Sequence, residues 1–396
     1  MSSLAVNAIT DASGGNTASI NGATPTTDNT MGRNRIINGA MEIAQRRTSY
    51  SQTSNAGNYH TVDRFSYRRS GTWSGVTAVT ISQQSSGAPV GFKNFLRHAP
   101  VGSDATTPDN AAMLIDYKTE GFDTADLEWG TANAKTVTLS FYVRSSVTGT
   151  FCVTFKDTQS SGSITGYTAE YSIAAANTWE YKAIVVPGPT SGTWGTGNTK
   201  DIGIMWFISG DTSSPSESGR LVSANSWSGS RPDNTYTANQ SDAMTTSSGQ
   251  TFDITGVQLE AGSVATSFER RSYGQELALC QRYYYRIKPD VAYGCIAEIA
   301  HATATTNARA RVVFPVTMRT RPTALEQSGT AGDYDVQLGS GVAVCSAVPT
   351  ISTGTVTTTQ VAVVDFPVAS GLTIGQAGNI RTPSPGNGYL GWSAEL

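Results

Sequence analysis

Apolar and polar residues alternate along much of the first two thirds of the chain. Met113, Ile115 and Tyr117 fall at every second position. So do Val137, Leu139, Phe141 and Val143; Phe151, Val153 and Phe155; and Trp179, Tyr181 and Val185. A period of two is the mark of a strand that buries one face. In residues 201–210 the set Ile202, Ile204, Trp206 and Ile208 makes one face, while Met205 and Phe207 make the other apolar as well, so this strand is expected in the middle of a sheet. Arg64–Tyr67, then Val76, Val79 and Ile81, and finally Phe252, Ile254, Val257 and Leu259 add further strands. Ile36, Ile37, Met41 and Ile43 read as a first strand interrupted at Asn38-Gly39, a dipeptide that supports a turn or bulge. Together these give roughly nine or ten strands across residues 33–270, the spacing of a two-sheet, jelly-roll-like sandwich.

The pattern changes after Gly262. Val264, Ala265 and Phe268 can continue an extended edge, but Leu277, Cys280 and Tyr284 fall at i, i+3 and i+7, a short helical stripe. Beyond it the chain is again β-rich. Pro315 and Pro322 bracket a stretch that cannot be an uninterrupted central strand. Val342, Val344, Val361, Val363 and the final GYLGWSAEL supply short strands. The expected fold is all-β, in three parts: an extended segment over residues 1–31, a jelly-roll-like β-sandwich over 32–272 and a smaller C-terminal β-sandwich over 273–396. Residues 1–31 are rich in Ser, Asn, Thr, Ala and Gly and have little to bury. The Gly/Ser loops of 211–250 are candidates to cover sheet edges. No repeat of 20 to 50 residues is visible, which disfavours a propeller or solenoid.

Composition narrows the partners. Charged residues make up 14% of the 396 residues, against roughly 25% in an average soluble protein. A net charge of -3 leaves no basic stripe for nucleic acid. No apolar run is long enough to span a membrane, and MSSLAVNAIT lacks the basic leader of a secretory signal. Synthesis in a cytoplasm without a signal peptide is therefore expected. Cys152, Cys280, Cys295 and Cys345 show no CxxC spacing and are expected as buried free thiols.

Three runs carry a resemblance: GRNRIINGAMEIAQR at 32–46, ITGVQLEAGSVATSFERRSYGQELALCQRYYYR at 254–286 and FPVTMRTRPT at 314–323. In this order they resemble the tail-fibre and receptor-binding proteins of tailed bacteriophages. With the domains between them, the resemblance covers most of residues 32–396. It implies a virion location at the tail, attachment to a tail or baseplate protein through residues 1–31, and assembly as a homotrimer. In such a trimer the stripe Leu277, Cys280, Tyr284 would face either its own domain or the three-fold axis.

The search for chemistry returns little that is catalytic. His60, His98 and His301 are isolated, and no HExxH, GxSxG or GxxxxGK[ST] occurs. Glycoside hydrolysis needs two carboxylates roughly 5 to 9.5 Å apart. The densest acidic group is Asp116, Glu120, Asp123, Asp126 and Glu128, and an acidic loop is usually just solvated, so no enzyme is expected. A glycan-cleaving tail protein using that pair stays an alternative, as does a purely structural tail component. Jelly-roll sugar binders that hold calcium on loop carboxylates suggest that ion, but no EF-hand-like spacing supports it, and no cofactor is expected.

Sugar binding needs less. A pyranose lays its apolar face on an aromatic ring and leaves its hydroxyls for polar neighbours, so rings in polar loops are the feature to seek. Trp73 in SGTWSG, Trp194 in SGTWGTG, Trp227 in NSWSGS and Tyr236 beside Asn234 fit, with Trp129 open between core and surface. The plain alternative is that they fold back as lids on the sandwich. Trp179 and Trp206 alternate with apolar residues and are expected in the core. A bacterial surface polysaccharide is the expected partner.

Overall fold

The computed structural model describes residues 32–108, 111–159, 164–210, 223–231, 239–241, 243–339, 341–352 and 357–396. The chain forms two compact units that meet in sequence between Arg271 and Ser272. The first is a sandwich of two antiparallel sheets. Its strands are β1 (Ser49–Gln52), β2 (Gly57–Asn58), β3 (Phe65–Ser70), β4 (Ala78–Gln84), β5 (Phe95–Val101), β6 (Ala112–Glu120) and β7 (Val137–Ser145). They continue with β8 (Gly149–Asp157), β9 (Ile164–Ile173), β10 (Glu180–Val186), β11 (Lys200–Gly210), β12 (Trp227–Arg231) and β13 (Phe252–Ala261). One sheet runs β1-β4-β5-β13-β7-β10 and the other β12-β9-β8-β11-β6-β3-β2. The core between them is made by the alternating residues, among them Ile115, Leu139, Phe141, Val153, Trp206, Ile254 and Leu259. The strand β11 lies between β8 and β6 and buries both faces, as its two apolar faces require.

Thirteen strands are therefore present among the described residues of this unit, more than the alternation alone predicts. The additional ones are short, as β1, β2 and β12, or lack a clean alternation, as β5 with Phe95 and Leu96 adjacent. In β9 the residues Thr165, Gly166, Thr168 and Ala169 hide the period. The predicted first strand is not a strand. Residues 37–40 form the expected turn, with Asn38 at φ 63°, but the flanking Ile36, Met41 and Ile43 are buried without ladder pairing. Side-chain amides take the ladder's place. Asn34 Oδ1 accepts from the N–H of Ile36 and of Leu259, and Asn38 donates to the carbonyls of Ile43 and Asp63 while accepting from Ile43 N–H. Asx side chains offer the backbone this alternative to a sheet.

A second correction concerns β10. Its alternation is real, but the face carrying Tyr181 and Val185 points outward, with these residues 47% and 44% exposed. Their ladder partners are Tyr142 and Thr138, whereas Ile184 pairs with Leu139 of the core face. As an edge strand β10 buries less than its neighbours, so its period tells which residues share a face and not which face is inside. Trp206 is fully buried as expected, whereas Trp179 is half-buried.

The second unit begins with α1 (Tyr273–Gln281), followed by β14 (Tyr284–Ile287), β15 (Gly294–Ala304), β16 (Asn307–Val313), β17 (Glu326–Gln327) and β18 (Asp335–Leu338). The remaining strands are β19 (Gly341–Val344), β20 (Thr350–Ile351), β21 (Val361–Pro367), β22 (Ala377–Thr382) and β23 (Leu390–Ser393). A three-stranded sheet β14-β23-β17 faces a seven-stranded sheet β19-β18-β22-β15-β16-β21-β20. Trp392, Phe314, Val364 and Ile380 lie in the core they share. The helix starts at Tyr273, four residues before the first residue of its apolar stripe, Leu277, because Ser272 and Gln275 form a reciprocal capping box. Tyr284 lies past its end, in β14, so of the predicted stripe only Cys280 is a buried helical residue. Cys152, Cys280 and Cys345 are buried free thiols; Cys295, expected with them, is exposed.

One core group carries a pH dependence. His98, in β5 between Ile81 and Phe252 of the neighbouring strands, is 1% exposed, and neither ring nitrogen has a hydrogen-bond partner. Tyr67 packs against its ring at 5.1 Å. Burial lowers its pKa from 6.5 to about 3. The folded state therefore refuses a proton that the unfolded chain accepts, so the stability it confers is present above pH 6.5 and is lost as pH falls toward 3. Urea titrations between pH 7 and pH 4 are expected to show uptake of about one proton on unfolding from this group, and His98→Leu is expected to flatten that slope. Parallel pH profiles for the two proteins would contradict it.

Candidate functional site

Three of the tryptophans singled out in the sequence meet. Trp129 lies in the β6–β7 connection, Trp194 lies in the β10–β11 connection and Trp227 opens β12. Their ring centroids are 4.8, 5.6 and 5.9 Å apart, with planes near-perpendicular at 80 to 84°. Edge-to-face packing of this kind lets the positive edge of one ring meet the negative face of the next. Each indole N–H donates to a carbonyl: Trp129 to Lys135 at 2.8 Å, Trp194 to Ser191 at 3.0 Å and Trp227 to Pro187 at 2.6 Å. The donors are thus satisfied within the protein, and what remains for a partner is ring surface. Trp129 is buried, while Trp194 and Trp227 are half-buried against the core. The group sits where the edge strands β10 and β12 approach, and the Trp227–Pro187 bond ties the β12 edge to the exit of β10. The rings therefore also act as lids on the sandwich edge.

Two buried carboxylates hold this end in place. Asp201 accepts from Thr124 Oγ1 at 2.5 Å and from Gly195 N–H at 2.6 Å, tying the loops that carry Trp129 and Trp194 to β11. Asp157 accepts from Thr165 N–H at 2.7 Å. Burial raises the Asp201 carboxyl above its ordinary range and the nearby Asp157 adds to this, while the Thr124 and Gly195 bonds work against it. The ring positions are set by these ties.

Trp73 is separate. Its loop joins β3 to β4, at the opposite side of the seven-stranded sheet from β12. Its N–H donates to Ser70 O at 2.8 Å and the Arg69 guanidinium lies 5.7 Å from its ring. Asp104 fastens the loop by accepting from the N–H groups of Ser74, Gly75 and Val76 and from the Ser74 hydroxyl. Burial alone would raise the Asp104 carboxyl; these bonds outweigh it and hold it below the ordinary range. Tyr236 lies outside the described residues.

The acidic group of 116–128 is largely occupied in structure. Asp116 pairs with Lys118 at 3.2 Å and Asp126 with Arg35 at 2.6 Å, Glu120 is buried, and Glu128 is exposed at a left-handed helix end. Among the described residues no group of three His, Cys, Asp or Glu side chains is placed to hold a metal ion.

A second aromatic assembly was not anticipated. On the outer face of the six-stranded sheet, Tyr181 of β10 packs on Tyr142 of β7 at 5.1 Å, Tyr142 on Phe92 at 5.5 Å, and Phe92 on Phe268 at 5.1 Å. The row crosses β13 at Gly256, where the backbone has φ +62° and a Cβ would lie 2.7 Å from the Phe92 ring and 3.1 Å from Tyr142. Only glycine leaves the rings room there. The signal in the sequence is the parity of Tyr142, opposite to that of Leu139, Phe141 and Val143.

No protein-family model matches the sequence, and no curated protein matches it at significant similarity. Among solved structures the chain is similar to the enzymatically active domain of tailspike protein 4 of bacteriophage CBA120, at 13% identity and a TM-score of 0.31, over 58% of this chain and 21% of that one. It is also similar to a family 11 carbohydrate-binding module of a cellulosomal cellulase of Clostridium thermocellum, at 12% identity and a TM-score of 0.25, over 54% of this chain and 97% of the module.

Proposed function

We propose that this chain is a receptor-binding tail protein of a tailed bacteriophage that adsorbs to a bacterial surface polysaccharide without cleaving it. The observation that carries the reading is the convergence of Trp129 and Trp194 from two connections and Trp227 from the start of β12, with every indole N–H already bonded and two rings half-open to solvent. Ring surface free of polar demand suits the apolar face of a pyranose. Trp129 supports the other two from below. The phage-tail part of the reading rests on the three runs at 32–46, 254–286 and 314–323, and attachment through residues 1–31 and trimer assembly go with it. Three copies on one tail would multiply weak sugar contacts. The carboxylates of 116–128 are engaged in ion pairs and loop ends, which favours recognition over hydrolysis.

The test is binding of the full chain to immobilised bacterial lipopolysaccharides and capsular polysaccharides, with reducing ends assayed in parallel. Binding without new reducing ends is expected, and Trp194→Ala or Trp227→Ala should each weaken it by about tenfold. Release of reducing ends, or binding indifferent to both substitutions, would overturn the proposal.

A further inference from the structure

The row Tyr181, Tyr142, Phe92, Phe268 is a continuous aromatic track on the outer face of the six-stranded sheet, with Tyr181 exposed and the other three rings half-buried. It is one residue wide. Along β7, Tyr142 is flanked by the buried Ser140 and by Arg144, and along β10 Tyr181 is followed on the same face by Ala183 and then the exposed Val185, so no second ring of these strands lies beside the row. A protein interface of ordinary strength covers a broad patch of roughly 800 Å² on each partner; a single file of rings matches a linear chain. Successive rings sit little more than 5 Å apart, a spacing comparable to the repeat of linked pyranoses.

The charges beside the track are positive. The Arg270 guanidinium lies 4.9 Å from the Phe92 ring and 5.7 Å from that of Phe268, and it donates to Gly91 O. Among the described residues no carboxylate pairs with it. Lys93, next to Phe92, is exposed and has no ion pair among them either. On the Arg144 side, two guanidiniums, Arg97 and Arg144, share the single carboxylate of Asp253. The nearby acids are consumed: Glu260 accepts from Thr266 N–H and hydroxyl, and Glu269 from the N–H groups of Gly32 and Asn34.

We propose that this track is a second glycan site and that it takes an acidic polysaccharide, with sugar faces on the exposed Tyr181 ring and the open sides of the half-buried rings, and carboxylate or phosphate substituents met by Arg270 and Lys93. The inference rests on the reading of the protein as a glycan binder but not on the tryptophan site. Guanidinium held over a ring keeps its outer donors for an anion while the ring pays part of its desolvation.

The experiment is affinity electrophoresis of the full chain in gels carrying alginate, polygalacturonate or carboxymethyl cellulose, with dextran and hydroxyethyl cellulose as neutral counterparts. Retardation by at least one acidic polymer is expected, falling as salt is raised. The Tyr142→Ala/Tyr181→Ala pair should weaken it by about tenfold, and Arg270→Gln should weaken it too. Trp194→Ala should leave it unchanged, so that loss of one site is told from loss of the other. Thermal midpoints of the variants check that the sandwich still folds. No retardation by any acidic polymer, or retardation untouched by the tyrosine substitutions and so mere ion exchange, would overturn the proposal. So would a self-associating chain in sedimentation that Tyr181→Ala renders monomeric, since a second copy would then cover the track.

Discussion

Replacing Asp253 with alanine is expected to destabilise the first sandwich by about 3 kcal/mol, because it strands two cations at once. Asp253 is 0% exposed in β13 and lies directly opposite Arg97 of β5 and Arg144 of β7. Arg97 bonds it in a bidentate manner at 2.7 and 2.9 Å, and Arg144 Nε reaches it at 2.9 Å. The stack continues outward, since Trp179 covers the Arg144 guanidinium at 4.6 Å and Phe95 packs on Trp179 at 5.3 Å. Removing the carboxylate leaves like charges facing each other across one strand. Partial exposure of both arginines lets water offset some of the loss, which is why the figure sits at the lower end for a broken buried pair. Urea unfolding of D253A against the parent checks it; a midpoint within error of the parent would show that the carboxylate is not what holds these strands in register.

Gly39→Ala is expected to cost at least about 3 kcal/mol, at the upper end for forced overpacking. A Cβ at residue 39 would lie 2.0 Å from Val257 O, and the contact cannot relax easily because Val257 N–H also donates to Gly39 O at 2.9 Å. By contrast Gly197→Ala, whose Cβ meets nothing within 4 Å, should fall within about 0.5 kcal/mol of the parent. Equal stabilities for the two variants, read from urea midpoints, would refute the packing described for residues 32–46.

That packing gives the runs at 32–46 and 254–286 a structural role. Residues 32–46 and 254–271 are two halves of one joint: Arg35 N–H donates to Leu259 O, Asn34 binds both Val257 O and Leu259 N–H, Glu269 receives Gly32 and Asn34, and Arg271 donates to Asn34 O and Ile36 O. The third run forms a similar joint in the second unit, where Arg319 donates to the carbonyls of Arg282, Ala394 and Glu395. Each of these residues satisfies backbone groups that no strand ladder reaches.

The same logic separates what could be read from the sequence from what could not. Strands such as β7 and β11 were legible because half or full burial writes their period directly into side-chain polarity. The segment 34–43 was apolar for the same reason but not a strand, since the competing hydrogen bonds come from Asn34 and Asn38, whose partners are over 200 residues away or across a turn. In β10 the period was legible and the facing was not, because an edge strand lacks the neighbour that would fix its inside. Trp194 and Trp227 were recognisable one by one from their Gly and Ser flanks, whereas Trp129, beside Glu128, stayed open between core and surface. Their meeting depends on how β10 and β12 are placed at sheet edges, which no local pattern encodes, and the track over Gly256 depends in addition on a bulge in β13 between Thr255 and Gln258.

The central claim is that the runs at 32–46, 254–286 and 314–323 build the scaffold while ring-bearing loops do the recognising. Its most direct test is a titration of the parent and the Trp194→Ala/Trp227→Ala double variant with the surface polysaccharide that the parent binds, with the thermal midpoint taken on the same samples. A variant that still unfolds cooperatively above the titration temperature but has lost its binding is the predicted result. A folded variant that binds as tightly as the parent would contradict the account.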